Sequence, residues 1–267
     1  MKKIFLAVIL LLSWCSIAIA WSDAEHRMMA YMAEEHLTAN TKEFLAKYLD
    51  QSIVEYSVWM DVYRNSPGYE MTTKWHMVTV GEDGRSFPDG HEGKAVKAVE
   101  TAIDILSHYK EYNDSTIHIN LIFLIHLIPE IHCPAHYYFL EFGDDIETKK
   151  YTFMPILYEG KPDTYHHMWD SSPTLAQPDA TMDDSKAYYD IWDDETRKMV
   201  SEGGPRAWFL ENARRIKKIY GWVRPNQALD RQFLLSRKNF IDMQVRLASA
   251  RLERTLNDLF DNWKENQ

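Results

Sequence analysis

The chain has 267 residues, with 40 acidic and 30 basic side chains and a formal net charge of −10 at pH 7. So acidic an exterior excludes broad electrostatic adhesion to a phosphate backbone, and any polyanionic ligand must meet a concentrated positive centre. Only two cysteines, Cys15 and Cys133, are present, which excludes a fold built on several disulfides.

Residues 1–20 read as a secretory leader. Lys2 and Lys3 form the charged start, residues 4–12 an apolar run too short to span a membrane, and Ala18-Ile19-Ala20 a small-residue cleavage site. Trp14 is too bulky for the position before a lipidated Cys15. Cleavage after Ala20 leaves residues 21–267 with Cys133 as the sole thiol, so the mature product is expected to be secreted or periplasmic. No later segment is long and apolar enough to cross a membrane, and residues 21–267 suit one domain, expected to act as a monomer.

Helical periodicity dominates residues 21–267. Residues 24–37 carry apolar side chains at helical spacing, and 42–49 and 53–64 read as two shorter helices. Residues 94–109 are amphipathic, whereas 115–128 are apolar on most faces and read as a central buried helix. Residues 185–200 and 205–220 come next, the latter with a proline in its first turn. Residues 227–263 form one or two further helices. The segments 81–90 and 143–177 read as loops, the second with short strands around 151–158. The expected fold class is therefore all-α, one mainly helical domain.

The central helix poses a question. Its apolar run ends in IHLIPEIHCPAH, residues 125–136, with three histidines and a glutamate that a core has little use for. On a helix His126 and Glu130 share a face, and His136, beyond Pro134, approaches from another side. That pattern suits a metal site, although hydrogen-bonded histidines at a helix end would satisfy it too. Elsewhere His166 and Asp170 are again four apart, His76 follows Trp75, and Asp61 lies beside Trp59 and Met60. Together they supply the imidazole and carboxylate donors that zinc accepts. Cleavage also frees the α-amine of Trp21, whose ordinary pKa near about 8 lets it bind metal, with His26 five residues on.

Taken in order, Trp21-x4-His26, Trp59-Met60-Asp61, Trp75-His76, His126-x3-Glu130-x-His132-x-Pro134-x-His136 and His166-x2-Trp169-Asp170 resemble the S1/P1 nuclease family, which is related in fold to zinc-dependent phospholipase C. A weaker echo, residues 250–257, is similar to the family's C-terminal helix. The resemblance implies a mostly helical fold with three Zn2+ ions per chain. Asp61, His76, His126 and Glu130 would bind one. Trp21, through its amine and carbonyl, would bind a second with His26 and Glu130. His136, His166 and Asp170 would bind the third. Asp61 and Arg64 take the catalytic positions, Arg64 facing the reacting phosphate. The implied substrate is single-stranded nucleic acid or a nucleotide, cleaved to 5′-phosphorylated products with 3′-nucleotidase activity beside it.

The chain departs from the family pattern in five places. Glu130 stands where aspartate is usual, Pro129 where glycine is commoner and Cys133 where the family has glutamine. At the substrate-facing positions, Met77, Thr79 and Ser172, the expected base-reading carboxylate is replaced by Thr79 and the asparagine-bearing turn by Ser171-Ser172. Tyr69, Tyr137 and Tyr138 are candidate stacking residues. Two rival functions remain: a phosphoesterase acting on phospholipid headgroups or small phosphate esters, and a zinc-binding protein without catalysis.

Overall fold

A computed structural model describes residues 21–87, 94–140 and 152–265; the leader, with its cleavage site, lies outside them. Among the described residues the chain is mainly α-helical, with five short strands. The N-terminal helices are α1 (Asp23–Glu35), α2 (Ala39–Tyr48), α3 (Ile53–Tyr56) and α4 (Trp59–Tyr63). After strand β1 (Val78–Val80) come α5 (Lys94–Ser107) and α6 (Asp114–Glu130), then β2 (Tyr137–Phe139), β3 (Pro155–Tyr158) and β4 (Lys161–Thr164). Next are α7 (Tyr165–Asp170), α8 (Ser172–Ala176), α9 (Met182–Tyr189), α10 (Asp194–Val200) and α11 (Gly204–Ile216). The chain closes with β5 (Ala228–Leu229), α12 (Arg231–Leu235) and α13 (Lys238–Phe260).

The axis of the fold is α6. Its N-terminus is capped by Asn113, whose side chain accepts from the Thr116 N–H at 2.9 Å. Nearly every residue from Asn120 to Glu130 is buried, as its all-round apolar sequence requires. The helix runs two residues past the expected end, straight through Pro129. A proline removes one backbone donor, and burial of Leu127, Ile128 and Ile131 outweighs that loss. Glu130 therefore stays on the helix, one turn from His126. Around α6 pack α5, α13, α3 and α4, while α1 lies against α13.

Several expected boundaries shift. The helix read over 53–64 is broken into α3 and α4 at Ser57-Val58. There the Ser57 hydroxyl donates back to the Val54 carbonyl at 2.7 Å and the Ser57 carbonyl turns inward to His126. The helix read over 185–200 is two, because Asp193 caps α10 by accepting from the Thr196 N–H at 2.9 Å. The segment expected as a loop over 143–177 does hold a strand near 151–158, β3, in a hairpin with β4, but it also contains α7 and α8, residues 143–151 lying outside the described ones. The hairpin turns at Glu159 (φ 49°) and Gly160 (φ 75°), the paired left-handed conformations that match the twist of two antiparallel strands. Thr164 then caps α7 through the His167 N–H at 3.1 Å, and Tyr165, Met168 and Trp169 bury its inner face. Local polarity hid these helices, since five or six residues carry too little periodicity to read.

Two short parallel pairings complete the frame. β1 pairs with β2, Thr79 opposite Tyr138, and β3 pairs with β5 as well as with β4. At the far end of the core, Phe44 stacks on Phe260 at 3.9 Å, with Tyr109 and Trp263 edge-on. Phe260→Ala is expected to cost about 3–5 kcal/mol of stability, read as a lowered denaturation midpoint. A loss under about 1 kcal/mol would show that this aromatic knot does not pin α13 to α2.

Candidate metal centre

Every side chain singled out as a candidate metal ligand converges on one buried locus. α1 delivers His26, α4 Asp61, the 3-10 turn Glu70–Trp75 leads into His76, α6 brings His126 and Glu130, a second turn (Pro134–His136) gives His136, and α7 carries His166 and Asp170. All of these except Asp61 are almost fully buried, and the Asp61 side chain is only 4% exposed.

The distances are those of a cluster held a little apart. His26 Nε2 lies 3.2 Å from Glu130 Oε2 and 3.9 Å from Asp61 Oδ2. Asp61 is also 3.5 Å from His76 Nε2 and 4.0 Å from His126 Nε2. On the other side His136 Nδ1 is 2.7 Å from Glu130 Oε1, and its Nε2 is 3.2 Å from Asp170 Oδ1. His166 Nε2 is 3.3 Å from Asp170 Oδ2. Glu130 thus stands between the two halves.

Outer contacts set the direction of the rings. His76 Nδ1 meets the Thr72 carbonyl at 3.0 Å and His126 Nδ1 the Ser57 carbonyl at 2.7 Å. Only a protonated Nδ1 can donate to a carbonyl, so each Nε2 keeps its lone pair for the centre. His26 stacks on His126 at 4.1 Å and His166 lies between His136 and Phe153. Such packing leaves the imidazoles one orientation.

What the inner atoms lack is partners. His26 Nδ1 and Nε2, Asp61 Oδ2, His76 Nε2, His126 Nε2, His136 Nδ1 and Asp170 Oδ2 are buried without a hydrogen bond, as are both Glu130 oxygens. His26 and His136 approach Glu130 closely but without hydrogen-bond direction, and the Trp21 main-chain N–H favours its charged form. Buried polar atoms are normally satisfied, and each one left alone costs about 1–3 kcal/mol. This many in one place fits a group of cations that the donors would share. Three triads bring one donor atom from each residue within 4.8 Å of each other: His26–Asp61–His126, His76–His126–Glu130 and Cys133–His136–Asp170. Two of them differ from the sets implied by resemblance: the first joins His26 to Asp61 and His126, and the third has Cys133 in place of His166. Cys133 Sγ donates to Asp170 Oδ1 at 3.3 Å.

Burial also governs the protonation of these side chains. It pushes the Asp61 carboxyl up to about 6, against a smaller opposing pull from His76 and Arg64. It lifts Glu130 and Asp170 well above the carboxylate range, helped in each case by repulsion from Asp61. The same loss of water lowers His76 to about 3 and His126 to about 4.

The remaining expected residues divide between the rim of the centre and the core. Arg64, 6% exposed, donates from Nη1 to Asp61 Oδ1 at 3.4 Å. Trp21 is buried, its indole N–H donating to the Pro129 carbonyl at 3.0 Å. Met77 is half-buried, while Thr79 in β1 and Ser172 in α8 are buried. Tyr137 and Tyr138 are core residues; the Tyr137 hydroxyl donates to the Ile131 carbonyl at 2.7 Å. They are therefore not stacking surfaces, and Tyr69 alone of the three reaches the exterior. His132 points away from the cluster, to Arg251 at 3.1 Å.

One residue escaped sequence reasoning. Glu25, fully buried beside His26, accepts from the Ser22 hydroxyl, the Thr174 hydroxyl and the Thr174 N–H. With the Ser22 N–H donating to the Asp170 carbonyl at 2.9 Å, it buckles the start of α1 to the α7–α8 junction. Ser22 lies three residues before it, but the contact that gives it its place, Thr174, is 149 residues away.

A family model described as S1/P1 nuclease matches residues 21–261. Nuclease S1 of Aspergillus oryzae (strain ATCC 42149 / RIB 40) is 23% identical over 192 residues, which cover 67% of this chain and 64% of that protein. Endonuclease 4 of Arabidopsis thaliana is 24% identical over 299 aligned residues, 98% of this chain and 96% of that protein. With the match extending across α1 to α13 and every ligand position of the resemblance gathered at one buried point, the chain belongs to the S1/P1 nuclease family.

Proposed function

We propose that the chain is a secreted, zinc-dependent phosphodiesterase that hydrolyses single-stranded DNA and RNA to 5′-phosphorylated products. The observation that carries this reading is the convergence of unsatisfied imidazole and carboxylate atoms around Glu130. Family membership and the two nuclease relatives support the substrate class.

Asp61, His76, His126 and Glu130 would hold one zinc. The main-chain amine and carbonyl of Trp21, freed by cleavage after Ala20, would hold a second with His26 and Glu130. His136, His166 and Asp170 would hold a third, with the Cys133 thiol beside it. When bound, the zinc ions supply Lewis acidity and a nucleophilic water at neutral pH. Asp61, Glu130 and Asp170 offset only half of the six charges, leaving a cationic pocket in an acidic chain and so meeting the electrostatic demand of a polyanion.

The protein's own residues perform the rest. The Thr72 and Ser57 carbonyls keep two imidazoles aimed inward. Arg64, oriented by Asp61, offers guanidinium donors to the phosphoryl oxygens as negative charge gathers on them. By the resemblance Met77, Thr79 and Ser172 stand at the base-facing positions with no carboxylate among them, but Thr79 and Ser172 are buried and offer a base no surface, so base preference is expected to be weak.

Arg64→Ala tests the assignment. It should lower kcat on single-stranded DNA by about 10²–10³-fold while the zinc content of the mature protein stays within half an equivalent of wild type. Wild-type turnover in Arg64→Ala would remove Arg64 from the reaction. Release of phosphocholine from phosphatidylcholine by the zinc-loaded protein, with no acid-soluble nucleotides from DNA or RNA, would replace the nuclease reading with the headgroup phosphoesterase.

A further inference from the structure

The strip of chain that carries Asp61, Arg64 and His76 has a second face that the metal centre does not use. Among the described residues ten large apolar side chains are strongly exposed, and three of them fall within ten residues: Val62 at 62%, Tyr63 at 43% and Met71 at 55%. Exposed apolar side chains next to a candidate centre are a candidate binding surface. On α4, Asp61 and Arg64 turn inward while Tyr63, one residue before Arg64, turns out. Its ring stacks on Trp59 with 4.6 Å between centroids and 24° between planes. Tyr69 meets the same indole edge-on at 4.9 Å.

The rings are held in place. Trp59 packs one side on the core. The connecting loop is pinned by the Ser66 N–H on the Tyr63 carbonyl (2.8 Å), the Tyr69 N–H on the Ser66 carbonyl (3.0 Å) and the Thr73 hydroxyl on the Arg64 carbonyl (3.3 Å).

We infer that Trp59, Tyr63 and Tyr69 form a stacking platform for an unpaired nucleobase of the strand whose phosphate sits at Arg64. This rests on the nuclease reading of the metal centre. Chain position selects the occupant: Tyr63 and Arg64 are consecutive but turn to opposite sides of α4, so a ligand reaching both carries a flat apolar group on a flexible link to a phosphate. An unpaired nucleotide does. A duplex stacks its bases on each other and offers no free face, so the platform also gives a physical cause for single-strand preference. In a chain of net charge −10, stacking supplies affinity that charge outside the centre cannot.

The test uses the mature, zinc-loaded protein and two strands of equal length, oligothymidylate and an abasic analogue with the same phosphates. Tyr63→Ala should raise KM for oligothymidylate about 5- to 100-fold more than KM for the abasic strand, the range expected for one lost base stack. Tyr63→Phe, which keeps the ring, should restore it. The salt dependence of KM should keep its slope, because stacking releases no counterions. An equal rise on both strands, or no rise, overturns the platform alone. So does a Tyr63→Ala defect confined to phosphatidylcholine vesicles, which would make this face a lipid contact. A wild-type enzyme that leaves both strands intact removes the nuclease reading and the platform with it.

Discussion

Glu130→Gln is expected to lower turnover on single-stranded DNA by about 10³-fold, some 4 kcal/mol of barrier, and to cost the mature protein at least one equivalent of zinc. Glu130 is the side chain that faces both halves of the centre, one oxygen 3.2 Å from His26 and the other 2.7 Å from His136. An amide of the same shape keeps one acceptor but loses the charge, so it cannot serve cations on both sides. Metal analysis on the purified variant separates two outcomes. Loss of zinc together with activity assigns Glu130 to the bridge. Retention of three zinc ions with wild-type turnover would show that the cations lie elsewhere. α6 carries its helix through Pro129, so Glu130 is its last helical residue.

Chelation at pH 8 is expected to lower the thermal midpoint by about 15–30 °C, and zinc to restore it. Each ion held at a hundredfold excess over its Kd adds about 2.7 kcal/mol. Three ions therefore add about 8 kcal/mol, at about 2–4 °C per kcal/mol for a chain of this size. The gain should shrink between pH 8 and pH 5, and the direction comes from the metal-free centre. A carboxyl raised by burial, such as Asp61 at about 6, is held charged in the interior above that pH, with Arg64 and His76 offsetting only part of the cost of burial. It costs folding stability increasingly as pH climbs from its unfolded value near about 4, and the cost is complete at pH 8. The lowered histidines, His76 at about 3 and His126 at about 4, are neutral in both states at pH 8 and cost nothing there. Their cost begins below the unfolded value of about 6.5, where the unfolded chain takes up protons that the buried rings refuse. Zinc thus relieves the most at pH 8, and at pH 5 it competes with protons for the same nitrogens. Differential scanning calorimetry of chelated and reloaded protein reads the effect. A midpoint indifferent to zinc at pH 8 would deny the centre its metals.

Much of the centre was legible because its chemistry is at odds with its surroundings. His126 and Glu130 stand in an apolar helix that has no use for them, and the i, i+4 spacing of His166 and Asp170 puts them on one face of whatever helix forms. The helix itself was not legible: α7 and α8 are short, polar at their starts and stabilised by a hairpin and a threonine cap instead of by periodicity. The break between α3 and α4 was hidden for a related reason. Residues 53–64 have one continuous helical pattern, but the Ser57 carbonyl is recruited by His126, which lies 69 residues later in the chain.

The sequence alone determined the helical class of the fold, the buried character of α6 and which side chains were candidates to meet, since all three are written along one chain. Tertiary structure alone decided which donors face each other, that Cys133 approaches Asp170, that Glu25 ties α1 to α8, and that Tyr137 and Tyr138 are core while Tyr63 is not. Those are distances between segments far apart in the chain, and no local pattern encodes them, because they are fixed by which apolar faces bury one another.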